Sequence, residues 1–371
     1  MKRVFLPLLA LLLLINCKDN PVDPEPLVCA EAEAITDISE RNFGMGFTSW
    51  IYAPEIEAKN NTYEFLEEHG DIYAEHLDDK IPWNAWINDT ELPTAFLDDI
   101  NDRVNRRIDS NELLLSVSLL NSLRTELIFD YDGSVPSYER LDDPDIRDAY
   151  VAHLRYLIDR FEPDYLVAAI EVNELYINIG EQAWQEYKSL MSAVRDSISQ
   201  SHPDLPYSES VTLHNWITAE VDNESAYQQE IQHYVNQLDY ASISYYPLFN
   251  NYHTIEEFSE AFDFLHSQVS IPISFVETTH LANDLVLESL DVTITSDECE
   301  QSQYLQVLAG YASQEDYEFI IWWAHRDFDA LWETFPDEVK ELGKIWRDTG
   351  LLDEDGNERP AYDQWEYLID Q

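Results

Sequence analysis

Two glutamates in this chain stand at the ends of strand-length apolar runs. One lies in Ile170-Glu171-Val172-Asn173-Glu174 and the other in Ser274-Phe275-Val276-Glu277. Facing carboxyls can cleave a glycosidic bond: one protonates the departing oxygen, and the other attacks the anomeric carbon or activates water. Retention of configuration needs them about 5–5.5 Å apart. It also needs unequal acidities, so that one is protonated while the other is ionised. The expectation is that Glu174 and Glu277 meet in this way. Each has a plainer alternative as a solvated surface glutamate, since the chain carries 74 acidic residues. Asn-Glu occurs at 111, 173, 223 and 357, but only the pair at 173 ends an apolar, strand-like run.

The elements that must position such a pair follow from the hydropathy pattern. Short apolar runs occur at Phe43–Phe47, Ile72–His76, Leu113–Ser118, Tyr165–Ile170, Ser210–His214, Tyr240–Ser244, Ile273–Val276 and Phe319–Trp323. Longer amphipathic stretches separate them, including Pro144–Arg160, Gln182–Ser199, Ile255–His266, Cys299–Ala312 and Asp337–Arg347. Strands alternating with helices predict a parallel sheet, and eight strands suit a closed (β/α)8 barrel. The alternative is an open doubly wound sheet. That fold usually carries a glycine-rich phosphate loop after its first strand, and this chain has only nine glycines. In a barrel, functional residues gather where the strands end. Strands four and seven, which carry Glu174 and Glu277, would face each other across that rim.

The other rim windows hold Trp50, His76, His214, Tyr245 and Trp323. Flat indole faces suit the apolar faces of sugar rings, although tryptophan and tyrosine are as often core residues. His214 fits a base, a sugar contact or a hydrogen-bonded core histidine.

Together these windows resemble clan A of the glycoside hydrolases. The clan has Asn-Glu after strand four, Glu after strand seven and Trp on strand eight. Within the clan the chain is similar to family 53, the arabinogalactan endo-β-1,4-galactanases, through Ser244-Tyr245-Tyr246-Pro247, His214 and Glu277-Thr278-Thr279. The resemblance implies Glu174 as acid/base, Glu277 as nucleophile and Asn173 on the neighbouring sugar hydroxyl, with Tyr245 touching the nucleophile. It also implies a polysaccharide substrate, galactan first and glucan or mannan second. There are departures. His76 stands where the clan has an arginine, Val172 precedes Asn173 in place of glycine, and Leu248-Phe249 replaces Trp-His. A glycan-binding protein without catalysis is the rival reading.

The chain begins with Lys2, Arg3 and an apolar run from Leu6 to Ile15. That run is too short to span a bilayer and suits a signal peptide over 1–16. Leu14-Ile15-Asn16-Cys17 resembles a bacterial lipobox, which implies lipidation of Cys17 and attachment to the cell envelope. A tether over 17–40 and a catalytic barrel over 41–371 would follow. Cys29 and Cys299 could pair or remain two thiols. Too few cysteines remain for a thiolate zinc site. No metal, cofactor or Gly-x-Ser-x-Gly motif is expected; His76, Asp78 and Asp79 read as a solvated loop.

The net charge of −53 makes a nucleic-acid partner very unfavourable. It also predicts self-repulsion that salt would relieve. With 45% hydrophobic residues, 10 Trp and 22 Tyr, the chain has ample material for a core. Oligomeric state is not legible.

Overall fold

The computed structural model describes residues 38–371. The expected signal segment, Cys17, Cys29 and the tether up to residue 37 lie outside the described residues.

Eight parallel strand positions form the sheet: β1 (Gly44–Thr48), β2 (Ile72–Leu77), β3 (Glu112–Val117), β4 (Tyr165–Val167), β5 (Tyr207–Ser208 and Ser210–Thr212), β6 (Ala241–Tyr245), β7 (Ile273–Thr278) and β8 (Phe319–Trp322). β1 pairs with both β2 and β8. The first half of β5 pairs with β4 and the second half with β6, which closes the ring. The chain is therefore a (β/α)8 barrel.

Glu209 interrupts β5 and points outward. Its buried carboxylate accepts hydroxyls from Tyr187, Tyr207 and Tyr234. A buried carboxylate is tolerable only when hydrogen-bonded in this way.

Strand alternation separates two cores. Ile72, Ala74, Leu114, Val167, Tyr240, Val276, Phe319 and Ile321 fill the barrel interior. Met45, Phe47, Tyr73, Leu115, Ile243, Tyr245 and Phe275 face the helices. Gly46 is required by close approach, because a Cβ there would sit 1.6 Å from the Ile72 carbonyl oxygen.

The helix expectations correspond to Pro144–Phe161, Glu181–Ser201, Ile255–Gln268, Glu298–Gln314 and Asp337–Arg347. Two strand runs stop earlier than hydropathy predicts. β4 ends at Val167, and the fifth run turns into a short helix, Leu213–Ile217, that carries His214.

A hairpin, Leu285–Leu287 with Val292–Ile294, follows β7 and builds a satellite core with Tyr246, Leu248, Leu281 and Ile345. The closing segment is pinned by Arg359, which forks onto Asp327 at 2.8 and 2.7 Å. Cys299 is disulfide-bonded. Among the described residues no helix is long and apolar enough to cross a membrane.

Candidate active site

Glu277 stands near the C-terminal end of β7, where the ladder to β6 shifts register. Its side chain is 11% exposed, and His76 Nδ1 on β2 lies 3.3 Å from its Oε2. The Tyr246 hydroxyl donates to its Oε1. Burial pushes the Glu277 carboxyl well above the usual range; the charges of Glu171 and Asp78 add to this, and Arg124 opposes it.

The tyrosine assignment needs correction. The family resemblance implied that Tyr245 touches Glu277, but Tyr245 faces the helices, with its ring 6.1 Å from those of Phe262 and Tyr304. Along β6 the side chains alternate, so Ala241, Ile243 and Tyr245 pack outward and Tyr246 falls on the inner side. That alternation was readable in the sequence.

Asn173 also needs correction. It is wholly buried. Its Nδ2 donates to the Thr212 carbonyl at 3.0 Å and to the Tyr227 hydroxyl at 2.9 Å. Its Oδ1 accepts from Thr212 N at 2.8 Å and from Thr212 Oγ1 at 3.3 Å. All four hydrogen-bonding positions are filled within the protein, so none is left for a sugar hydroxyl. Asn173 ties the end of β4 to the end of β5.

Glu174 lies in the first turn of the helix Asn173–Ile179. Its Oε1 accepts from Asn215 Nδ2 at 3.2 Å. Burial, then the charge of Glu171, pushes its carboxyl up to about 8 against Arg124, Asn215 and Thr212.

Glu171 directly follows the interior residue Ile170, with a left-handed φ of 55°. Its amide donates to Ser210 Oγ at 2.8 Å, and its Oε2 accepts from Arg124 Nη2 at 2.8 Å. Arg124 is itself left-handed, with φ 50°. Two non-glycine residues in this conformation mark a locally constrained rim. The sequence reading gave neither Glu171 nor Arg124 a role, because a left-handed turn leaves no hydropathy signal.

The aromatic residues form a wall. Trp50 and Trp323 are paired at 5.0 Å, and Trp323 meets His76 edge-on at 5.9 Å. Both indole N–H groups are buried without a protein acceptor. His214 packs on Phe249 at 4.8 Å, and Phe249 packs on Tyr246 at 6.0 Å. His214 Nδ1 also has no partner, and burial pushes its ring down to about 3, so it is neutral near pH 7. Contacts thus run from His214 through Phe249, Tyr246, Glu277, His76 and Trp323 to Trp50. Such a wall offers aromatic faces and spare donors around a buried carboxyl.

Away from this wall, Asp327, Asp329 and Asp348 bring oxygens within 4.8 Å of one another. Arg359 occupies Asp327 and Arg347 occupies Asp348, which makes the group part of the closing segment.

No protein-family model and no curated protein matches the chain. Solved structures do. A GH5_18 enzyme from Bifidobacterium longum subsp. longum, in complex with Manβ1-4GlcNAc, is 14% identical with a TM-score of 0.64, over 90% of this chain and 78% of its own. The GH53 catalytic domain of Ignisphaera aggregans is 14% identical with a TM-score of 0.58, over 88% and 96%. Xylanase 10B of Thermotoga maritima is 13% identical with a TM-score of 0.56, over 89% and 95%. At these identities the likeness is one of fold, the (β/α)8 barrel that these glycoside hydrolases share with this chain.

Proposed function

We propose that this protein is a retaining, endo-acting glycoside hydrolase for a β-linked polysaccharide. A galactan is the first candidate, and a glucan or mannan the second. The observation that carries the reading is Glu277, buried at the rim of β7 between Tyr246 and His76, with the charge of Glu171 from the β4 exit acting on it. Glu277 is the nucleophile: its carboxylate attacks the anomeric carbon to form a glycosyl-enzyme, which water then hydrolyses. A β4 glutamate supplies the proton in the first step and removes one from water in the second. Glu174 takes this role: burial raises its carboxyl to about 8, which keeps it protonated near neutral pH. Trp50, Trp323 and His214 bind sugar through ring faces and the donors that lack protein partners. The solved structures of similar fold support a β-glycan substrate without choosing among glycans.

Incubating the purified protein with galactan, glucan, mannan and xylan at low and high salt, then sizing the products and following their anomeric form by NMR, tests this. Oligosaccharides released first as β anomers are expected. Binding without cleavage of any glycan would favour the glycan-binding reading. We also propose attachment to the cell envelope through a lipid on Cys17, so that Cys17→Ser should move the protein from the membrane fraction to the soluble one.

A further inference from the structure

We propose that Asn215 is the positioning residue of the acid/base Glu174, and that it fixes which carboxyl oxygen carries the transferred proton. This rests on the hydrolase reading above and deepens the second half of its mechanism.

The contact joins two strand exits. Asn215 is buried, and its Nδ2 donates to Glu174 Oε1 at 3.2 Å. It stands on the short helix Leu213–Ile217 that follows β5. That helix is clamped from behind. The indole of the wholly buried Trp216 donates to the Gln228 carbonyl, and the Gln228 amide donates back to the carbonyls of Trp216 at 3.2 Å and Ile217 at 3.0 Å. Asn250 Nδ2 donates to the His214 carbonyl at 3.2 Å. On the β4 side, Asn173 is bonded in both directions to Thr212. Residues 173 and 174 thus meet residues 212 and 215 as two successive rungs between the exits of β4 and β5. Asn173 sets the spacing of the rungs, and Asn215 uses it to grip the carboxyl of Glu174.

An amide nitrogen can only donate. In a protonated carboxyl the carbonyl oxygen is the better acceptor, so a donor on Oε1 leaves the proton on Oε2. In the first step the Oε2 proton passes to the glycosidic oxygen, the bond from that oxygen to the anomeric carbon breaks, and a Glu277 oxygen bonds to that carbon. Glu174 is then a carboxylate, and its bond from Asn215 strengthens because the acceptor is charged. In the second step water attacks the anomeric carbon and gives its proton to Glu174 Oε2, and Glu277 leaves as carboxylate. A bond that strengthens with the charge favours the ionised form. Burial and the charge of Glu171 push the Glu174 carboxyl up, while Arg124, Asn215 and Thr212 hold it down. The Tyr227 hydroxyl, on the helix Glu224–Val235, also feels the charge of Glu174. Asn215 therefore opposes burial, so that Glu174 can release its proton in the first step and wait as a base for water in the second.

The test compares wild type with Asn215→Ala and Asn215→Asp. The substrates are whichever of galactan, glucan, mannan and xylan the wild type cleaves best, and a dinitrophenyl β-glycoside of the same sugar. Aspartate keeps the shape of asparagine, which guards against a folding defect, but it loses the donor and adds a like charge. On polysaccharide, kcat should fall about 10- to 100-fold in both variants, the equivalent of a lost hydrogen bond to a charged group. KM should not rise. The burst of dinitrophenol should lose far less, because that leaving group needs little help from an acid. The basic limb of kcat/KM, which reports the acid of the free enzyme, should move to higher pH in both variants, and further in Asn215→Asp. A second readout needs no substrate: in urea unfolding across pH, Asn215→Ala should hold the Glu174 proton to higher pH than wild type does. Polysaccharide turnover at the wild-type rate, or a basic limb that stays in place, would overturn the positioning role and leave the hydrolase reading intact. A limb that moves down would also overturn it, because the amide oxygen would then be accepting the Glu174 proton. A wild type that releases no product from any glycoside would remove the hydrolase reading and this role with it.

Discussion

Tyr246 and Glu277 sit at the ends of adjacent strands and share one hydrogen bond, with the tyrosine hydroxyl donating to Glu277 Oε1. The ring of Tyr246 is held by the satellite core of the hairpin after β7 and by Phe249. Glu277 is thus oriented by a part of the fold that lies outside the barrel proper.

Tyr246→Phe keeps that packing and removes the donor. Hydrogen bonds to charged groups are worth about 1.5–3 kcal/mol, so kcat should fall roughly 10- to 100-fold with the melting temperature nearly unchanged. Tyr245→Phe is the control. Its hydroxyl has no partner and faces the helices, so activity should be retained. Steady-state kinetics and thermal melts of the two variants check this.

Trp323→Phe should raise KM more than it lowers kcat. The ring face against Trp50 is largely kept, while the buried indole N–H without a protein acceptor is lost. One neutral hydrogen bond is worth about 1 kcal/mol, so a weakening of about fivefold is expected in oligosaccharide binding followed by calorimetry. An unchanged affinity would assign Trp323 to the core.

These two sites differ in how much of them the sequence reveals. The barrel was legible because its eight apolar runs recur between amphipathic helices, and Glu277 because it ends one of them. Tyr246 was recoverable from strand parity alone: Ala241, Ile243 and Tyr245 make the apolar outer face, so Tyr246 must turn inward. Asn173 misled because a dipeptide match carries no information about which way the chain turns. The turn itself, at Glu171 and Arg124, depends on left-handed backbone at residues that do not advertise it. The split of β5 at Glu209 was equally hidden, since its three tyrosine donors come from separate elements.

The surface charge gives a prediction independent of the site. With a net charge of −53, the folded chain repels itself at low ionic strength. At about 1 M salt the screening length is about 3 Å, so the melting temperature should rise from dilute buffer to molar sodium chloride. A flat or falling trend would count against adaptation to salt.

Glu174 provides a test that needs no substrate. Burial and the charge of Glu171 push its carboxyl from 4.5 up to about 8 in the folded chain. The folded state therefore holds this proton more tightly than the unfolded state. The resulting stabilisation is complete below about pH 4.5 and is lost as pH rises through about 8. Glu174→Gln mimics the protonated carboxyl at every pH. Relative to that variant, the wild type should lose stability across this window, at no more than about 1.4 kcal/mol per pH unit for one proton. Above the window the difference should be constant. Because Glu171 is the second cause of the shift, the same comparison in a Glu171→Gln background should give a narrower window. Urea unfolding of the four proteins at a series of pH values measures this. A difference that stays flat between pH 4.5 and 8 would mean that Glu174 ionises as readily in the fold as in the unfolded chain. The Asn215 contact would then have to outweigh the burial.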